Sequence, residues 1–514
     1  MRYSLILPAL SIAAFSSGCY ENFSAPQRLT PDVDRVLGAY GIAVDTSDRI
    51  HALYHAEFQG PGLTIRTSAD GGENWDQWST VAAYDRQNSF LDSARLRADR
   101  VNPDNLYVSY RVRCDNRQVI NFRRSVDGGQ NWSEAEALSG CAGVNDNALA
   151  QAEVSGALVG IYHEISDHFD RRFWTRRSFD FGANWFEPIA AFETDANSNM
   201  DILGFEFTEE NNLVLGLIEK PMFGDSLTVS VVRSSNWGLS WSEPTIVARV
   251  PRAGSDHGSP GEMIELNGTL YMAFQNGGSY FYSVSLDGGN EWSPPTEVGS
   301  IPAGYDLTSL ELGVNPTGLP LVLGFQLNPV GESRGNIYYH EHDGSTWEAR
   351  RRLNNSLNQV TSFAGFASTI NQVMVAAYTD EQWHDVEDYD SELAVAFSTS
   401  GTETDFGVSF LDDTTFETAR RREAIEFDYD VSNYSGTGEN IDVWLTYRHQ
   451  GSGRSGTMRT HAGISIDNEE TITLRYAGNV HRNAPHGYYE VTVHVGQQGS
   501  SEYDSDRFIV SVDR

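Results

Sequence analysis

Lysine is nearly missing from this chain: of 36 basic residues only Lys220 is one, and the rest are arginine. Positive charge is scarce altogether, since 71 acidic residues leave a formal net charge of −35 across 514 residues. A field of that sign repels phosphate backbones and anionic lipid surfaces, which excludes nucleic acid as a partner. Cysteine is limited to three residues, too few for a disulfide-framed scaffold. Beyond the N-terminus no run approaches the roughly 18 apolar residues of a membrane span. Zinc-ligand spacing, a Walker loop and a dinucleotide fingerprint are all lacking, so no cofactor is expected. What the chain does contain is 39% hydrophobic residues, 11% aromatic residues and 47 glycines. That content supplies a sizeable core, rules out wholesale disorder and favours β structure with tight turns. The length allows about two to four domains, or one large repeat assembly with a smaller companion.

The N-terminus reads as an address. Arg2 is followed by an apolar run from Tyr3 to Phe15, too short to span a bilayer, and then by the small residues Ser16, Ser17 and Gly18. Residues 1–18 are therefore expected to be a signal peptide. Cys19, directly after Gly18, resembles a bacterial lipoprotein processing site, where the thiol is lipidated and becomes the mature N-terminus. The resemblance implies a secreted protein, lipid-anchored to the bacterial cell envelope at the outer membrane or cell surface, that meets the membrane through its anchor only. Ser16 stands where such sites carry leucine, and simple secretion is the alternative. Either route ends in an oxidising compartment, where Cys114 and Cys141 can form one bridge.

An internal repeat of about 54 residues organises the chain. Ser68-Ala-Asp70-Gly-Gly72-Glu-Asn-Trp75 recurs at residues 125–132, 178–185, 234–241 (with Asn236 for the aspartate) and 285–292, and a worn copy runs from His342 to Trp347. The pattern Ser-x-Asp-x-Gly-x-x-Trp resembles the Asp-box, or BNR, repeat of the sialidase superfamily of β-propellers. In such a turn the Ser and Asp side chains bond backbone N–H groups, glycine takes the positive φ, and Trp packs between sheets. Asp70, Asp127, Asp180, Asn236, Asp287 and Asp343 are accordingly expected to be structural.

Apolar first strands near residues 41–45, 94–99, 149–153, 202–207, 261–265, 309–314 and 363–368 give seven units; six, as in true sialidases, is the alternative. The seventh unit lacks a box and a fourth strand of its own. Residues 23–30 read like the segments that follow the boxes and are expected to supply that strand, closing the ring. The propeller is thus expected over residues 19–408. Residues 409–514 alternate short strand-like runs with polar turns, which suggests an Ig-like β-sandwich in an otherwise all-β chain. Its roles are a spacer or support for the propeller, or glycan binding.

Propeller topology assigns the loops between second and third strands, and those between blades, to the face opposite the Asp-boxes, where function is expected. Cys114 and Cys141 fall together there and are expected to be bonded. In the sialidases the resemblance implies three arginines clamping a carboxylate, a Tyr–Glu nucleophilic pair and an aspartate acid/base. Here Gly41 stands where the first arginine belongs, and neither the tyrosine nor its glutamate can be placed. What remains is a set of candidates. Arg95, Arg111, Arg113 and Arg171, with His163, could grip an acidic sugar. Glu262 and Asp201 could act as general acid and base of an exo-acting glycoside hydrolase. A polysaccharide lyase would instead need a base among His163, His168, His257 and Tyr305. The acidic residues Asp385, Glu387, Asp388, Asp390 and Glu392 could hold Ca²⁺, though without a calcium-loop pattern. The expected partner is extracellular carbohydrate, acidic sugars included, and the expected state is a monomer. The expected function is glycan binding with exo-glycosidase activity; the alternatives are a non-catalytic glycan- or protein-binding propeller, and a lyase.

Overall fold

The computed structural model describes residues 23, 27–30, 36–56, 62–83, 92–115, 117–142, 144–151, 156–165, 171–194, 198–221, 226–251, 261–315, 321–348, 350–354, 359–385, 388–398, 406–410, 416–420, 424–433, 439–449, 454–467, 471–481, 483–497 and 501–513. The protein is all-β, with no helix among the described residues. Seven four-stranded antiparallel sheets follow one another along the chain, and then come a three-stranded and a five-stranded sheet.

The first strands of the seven sheets are Val36–Val44, Asp92–Ala98, Val144–Gln151, Ser198–Phe207, Gly261–Leu266, Tyr305–Val314 and Gln359–Ser368. Each packs beside the next, and the seventh packs beside the first. Second strands such as Ile50–Ala56 and Leu321–Pro329 are buried along nearly their whole length, which is why they read as continuous apolar runs. In the first six sheets the strands pair in chain order. The seventh takes its fourth strand from the other end of the chain: Gln27–Arg28 pairs antiparallel with Asp388–Phe397. Leu29 N–H donates to the Leu393 carbonyl at 2.8 Å, and Thr30 Oγ1 accepts from Leu393 N–H at 2.9 Å. Phe23 stands edge-on to Tyr339 of the sixth sheet at 5.2 Å.

Six of the seven first strands start earlier than their sequence suggests, and the fifth starts at Gly261 as expected. The six carry a register shift, at Val36/Gly38 and Ala39/Gly41, Asp92/Arg95, Val144/Asp146, Ile202/Gly204, Leu307/Ser309, and Val360/Phe363 and Phe363/Gly365. A bulge puts two residues opposite one and breaks the period-two alternation, so the opening half of each strand loses its apolar pattern.

The boxed turns lie between third and fourth strands. Ser125 Oγ accepts from Gly129 N–H and donates to Asp127 Oδ1, both at 2.8 Å, while Asp127 Oδ1 accepts from Asn131 N–H at 2.9 Å. The same serine-to-glycine and box-side-chain bonds recur at Asp70, Asp180, Asn236 and Asp287. Asp343 accepts from Ser345 and Thr346 N–H instead, and those bonds hold its carboxyl down at about 2. Gly72 shows why the turn needs glycine: φ is +95°, and a Cβ would lie 2.1 Å from Phe397 Cζ of the seventh sheet. Cys114 and Cys141 are joined by a disulfide with a Cα–Cα distance of 5.9 Å.

The last two sheets enclose one apolar cluster. Ile425, Phe427, Tyr429 and Val431 face it from the smaller sheet, and Ile441, Val443, Leu445, Val491, Val493 and Val495 from the larger. Every one of these runs alternates with period two, the mark of strands buried on one face. The smaller sheet begins with Phe406–Phe410, slightly before residue 409.

Candidate functional site

First strands of all seven sheets line a single cavity of about 450 Å³. That volume lies within the roughly 300–1,000 Å³ of small-ligand pockets. Six charged residues line it: Arg97, Arg100 and Glu206 towards one end and, from three different sheets, Arg95 of the second, Glu262 of the fifth and Glu311 of the sixth. The bulge at Asp92/Arg95 lies immediately before the arginine. Glu262 Oε2 accepts from Leu312 N–H across the sheet boundary, and Ser309 Oγ donates to Glu311 Oε1 at 2.9 Å. The two carboxyl groups lie close enough to perturb each other's ionisation. Gly365, at φ +97°, leaves space for this pair, since a Cβ there would stand 3.3 Å from Glu311 Oε2.

Electrostatics follow from that proximity. Burial deep between the sheets, then the neighbouring Glu311 charge, push the Glu262 carboxyl well above its usual range. Burial raises Glu311 as well, and the guanidinium of Arg95 opposes the shift at both. The pair therefore resists ionising together, and each carboxyl keeps its proton to a higher pH than a solvated glutamate does.

A second group of charges spans the cavity where the first strands end, on the side of the boxed turns. Arg97 of the second sheet grips both oxygens of Glu206 in the fourth, one at 3.2 Å. Arg100 reaches Glu206 at 3.4 Å and Glu265 of the fifth sheet at 3.1 Å. Burial raises the Glu265 carboxyl, although the Gly268 N–H and Arg100 oppose it. These forked, partly buried pairs tie three sheets together across the centre.

Among the described residues, Arg95 and Glu262 are the only expected site residues that line this cavity. Asp201 sits on the same first strand as Glu206 but turns to Lys220, the sole lysine, so it is not brought to Glu262. Arg111 Nη1 donates to the Val144 carbonyl at 3.5 Å, and Arg113 is exposed near the end of its strand. His163 is buried in the core, edge-on to Phe173 at 5.2 Å. Tyr305 packs on the apolar cluster between the fifth and sixth sheets. Cys19, His168, His257 and Glu387 lie outside the described residues, as do the side chains of Arg171, Asp385, Asp388 and Asp390. Among the described residues no group of three or more His, Cys, Asp or Glu is placed to hold a metal ion. Gly41, where the resemblance calls for arginine, lines the cavity, and a Cβ there would already meet Leu96 Cβ at 3.0 Å. The packing of the first two sheets leaves that position little room.

Sequence reasoning missed Glu311, Arg97, Arg100, Glu206 and Glu265. Their shared signal is a charge within or just past an apolar first strand, a place where a solvated residue has no reason to be.

No protein-family model and no curated protein matches the chain. Among solved structures, it is similar to the family GH93 α-L-arabinofuranosidase of Fusarium graminearum in complex with arabinobiose, at 13% identity over 73% of this chain and 97% of that one, with a TM-score of 0.43. It is also similar to a family PL25 ulvan lyase, at 12% identity over 61% of this chain and 80% of that one, TM-score 0.41. A variant of the NanB sialidase from Streptococcus pneumoniae matches at 11% identity over 73% of this chain and 70% of that one, TM-score 0.39. All three bear the names of glycan-active enzymes.

Proposed function

We propose that this protein is a glycan-binding β-propeller that holds a neutral, hydroxyl-rich sugar terminus at Arg95, Glu262 and Glu311. The observation that carries the reading is the convergence of these three side chains, from three sheets, in a cavity to which all seven first strands contribute. A carboxyl group offers acceptors, and a donor while it keeps its proton, and the guanidinium adds a planar fork of donors. Hydroxyl groups, which donate and accept, complement that set. An acidic sugar fits less well, because Arg97 and Arg100 are already paired with glutamates and the Glu262–Glu311 pair opposes the charge of Arg95.

The seven sheets are taken as the blades of a closed ring over residues 19–408, a reading supported by the packing of the seventh first strand on the first and by the N-terminal strand in the seventh sheet. The sheets after residue 406 are taken as an Ig-like sandwich. The leader-like residues 1–18, Cys19 and the Cys114–Cys141 bond support an envelope lipoprotein facing an oxidising space. The ion pairs of Arg97 and Arg100 make the channel blind at the box side, so the sugar enters from the opposite face.

Hydrolysis is the second reading. Glycosidase carboxylates stand about 5–5.5 Å apart when retaining and roughly 6.5–9.5 Å apart when inverting, to leave room for sugar or water. Glu262 and Glu311 perturb each other's ionisation directly, the behaviour of close neighbours, which is why binding is preferred over that chemistry. The test is incubation of the soluble mature protein with sialylated, neutral and uronic-acid glycans, following both reducing ends and the absorbance of a new carbon–carbon double bond. Retention of neutral glycans without turnover is expected. Steady release of reducing ends or unsaturated product would replace the binding reading with an enzymatic one.

A further inference from the structure

A second cavity, of about 530 Å³, opens between the two C-terminal sheets. Its depth is aliphatic: Val491, Val510 and Val512 are almost fully buried, yet they line it. Tyr447 and Tyr476 form walls, and Tyr476 is stacked on Phe427 at 4.9 Å. Gly478 is needed for that wall, since a Cβ there would lie 2.1 Å from the Tyr476 hydroxyl oxygen. The backbone at this position is thus kept bare for a ring that holds the cleft open.

The rim has the opposite character. Arg454 and His481 are both exposed there, and no aspartate or glutamate occurs among the described lining residues. That is notable in a chain whose acidic residues outnumber the basic ones 71 to 36. Most surfaces of such a molecule repel an anion, whereas this mouth attracts one. We propose that the sandwich cleft is a binding site for a small amphiphile with an apolar body and an anionic head, such as a medium-chain carboxylate. The chain of the ligand lies on the buried valines, and its head is held by the Arg454 guanidinium. This site is separate from the propeller channel and does not depend on the glycan reading.

The experiment uses the soluble mature chain with anilinonaphthalene sulfonate as a fluorescent probe, displaced by decanoate or by decanol. Saturable displacement is expected, with decanoate about tenfold tighter than decanol, the effect of one charge-assisted contact. Arg454→Ala abolishes that preference while leaving decanol unchanged. Met458→Trp, which fills the cleft from its wall, removes the displaceable signal altogether; if it fails to melt cooperatively, Arg454→Ala decides alone. Equal affinity for decanoate and decanol in the wild type, or an unaltered preference in Arg454→Ala, overturns the proposal. So does displaceable dye that survives in a folded Met458→Trp.

Discussion

Two neighbouring carboxyl groups deep inside a protein resist ionising together. Glu262 and Glu311 both titrate above the usual 4.5, burial being the first cause at each. A raised carboxyl group favours the folded state while it stays protonated. Its contribution is therefore complete below the ordinary value of 4.5 and is lost as pH rises through the folded-state value. Glu262→Gln stays neutral and cannot lose its proton. Denaturant midpoints measured between about pH 5 and pH 9 should fall more steeply for the wild type than for this variant. Parallel curves would show that Glu262 does not titrate above its usual range. The single residue also explains where homology-like reasoning misleads: Gly41 is a packing requirement against Leu96, not a lost arginine awaiting restoration.

At the scale of the element, the boxed turn is the unit that was legible. Ser-x-Asp-x-Gly-x-x-Trp specifies its own hydrogen bonds locally, so the sequence alone marks where each third strand ends. Ser125 is buried and is the acceptor for Gly129 N–H. Ser125→Ala leaves that buried donor without its partner and should cost about 1–3 kcal/mol in chemical unfolding. A change within error would remove the serine from the account of the turn. The N-terminal strand was legible too, because residues 23–30 repeat the segment that follows each box. What the sequence concealed lies on the first strands. Their bulges disturb the alternation by which strands are recognised, and the same bulges set where Arg95 and its neighbours project. Glu311 falls inside the expected strand 309–314, but its meeting with Glu262 of the neighbouring sheet is a tertiary fact, and Asp201 was misplaced because its lysine partner comes from the next strand, a pairing that composition cannot reveal.

Across the whole molecule, charge is arranged rather than merely excessive. The formal net charge is −35, yet arginines are drawn inward, where Arg97 and Arg100 tie the second, fourth and fifth sheets and Arg95 faces two glutamates. Arginine suits this role because its fork can satisfy two oxygens at once and never gives up its charge. The acidic surface keeps the chain away from phosphate and anionic lipid, in keeping with the proposal that uncharged, hydroxyl-bearing ligands occupy the centre. The most direct test of that claim is retention of the soluble mature protein on an array of neutral, sialylated and uronic-acid glycans, compared with its Arg95→Ala and Glu311→Ala variants. Selective retention on neutral termini, lost in both variants while their melting stays cooperative, is the predicted result. Retention that both variants keep, or preference for acidic glycans, would contradict it.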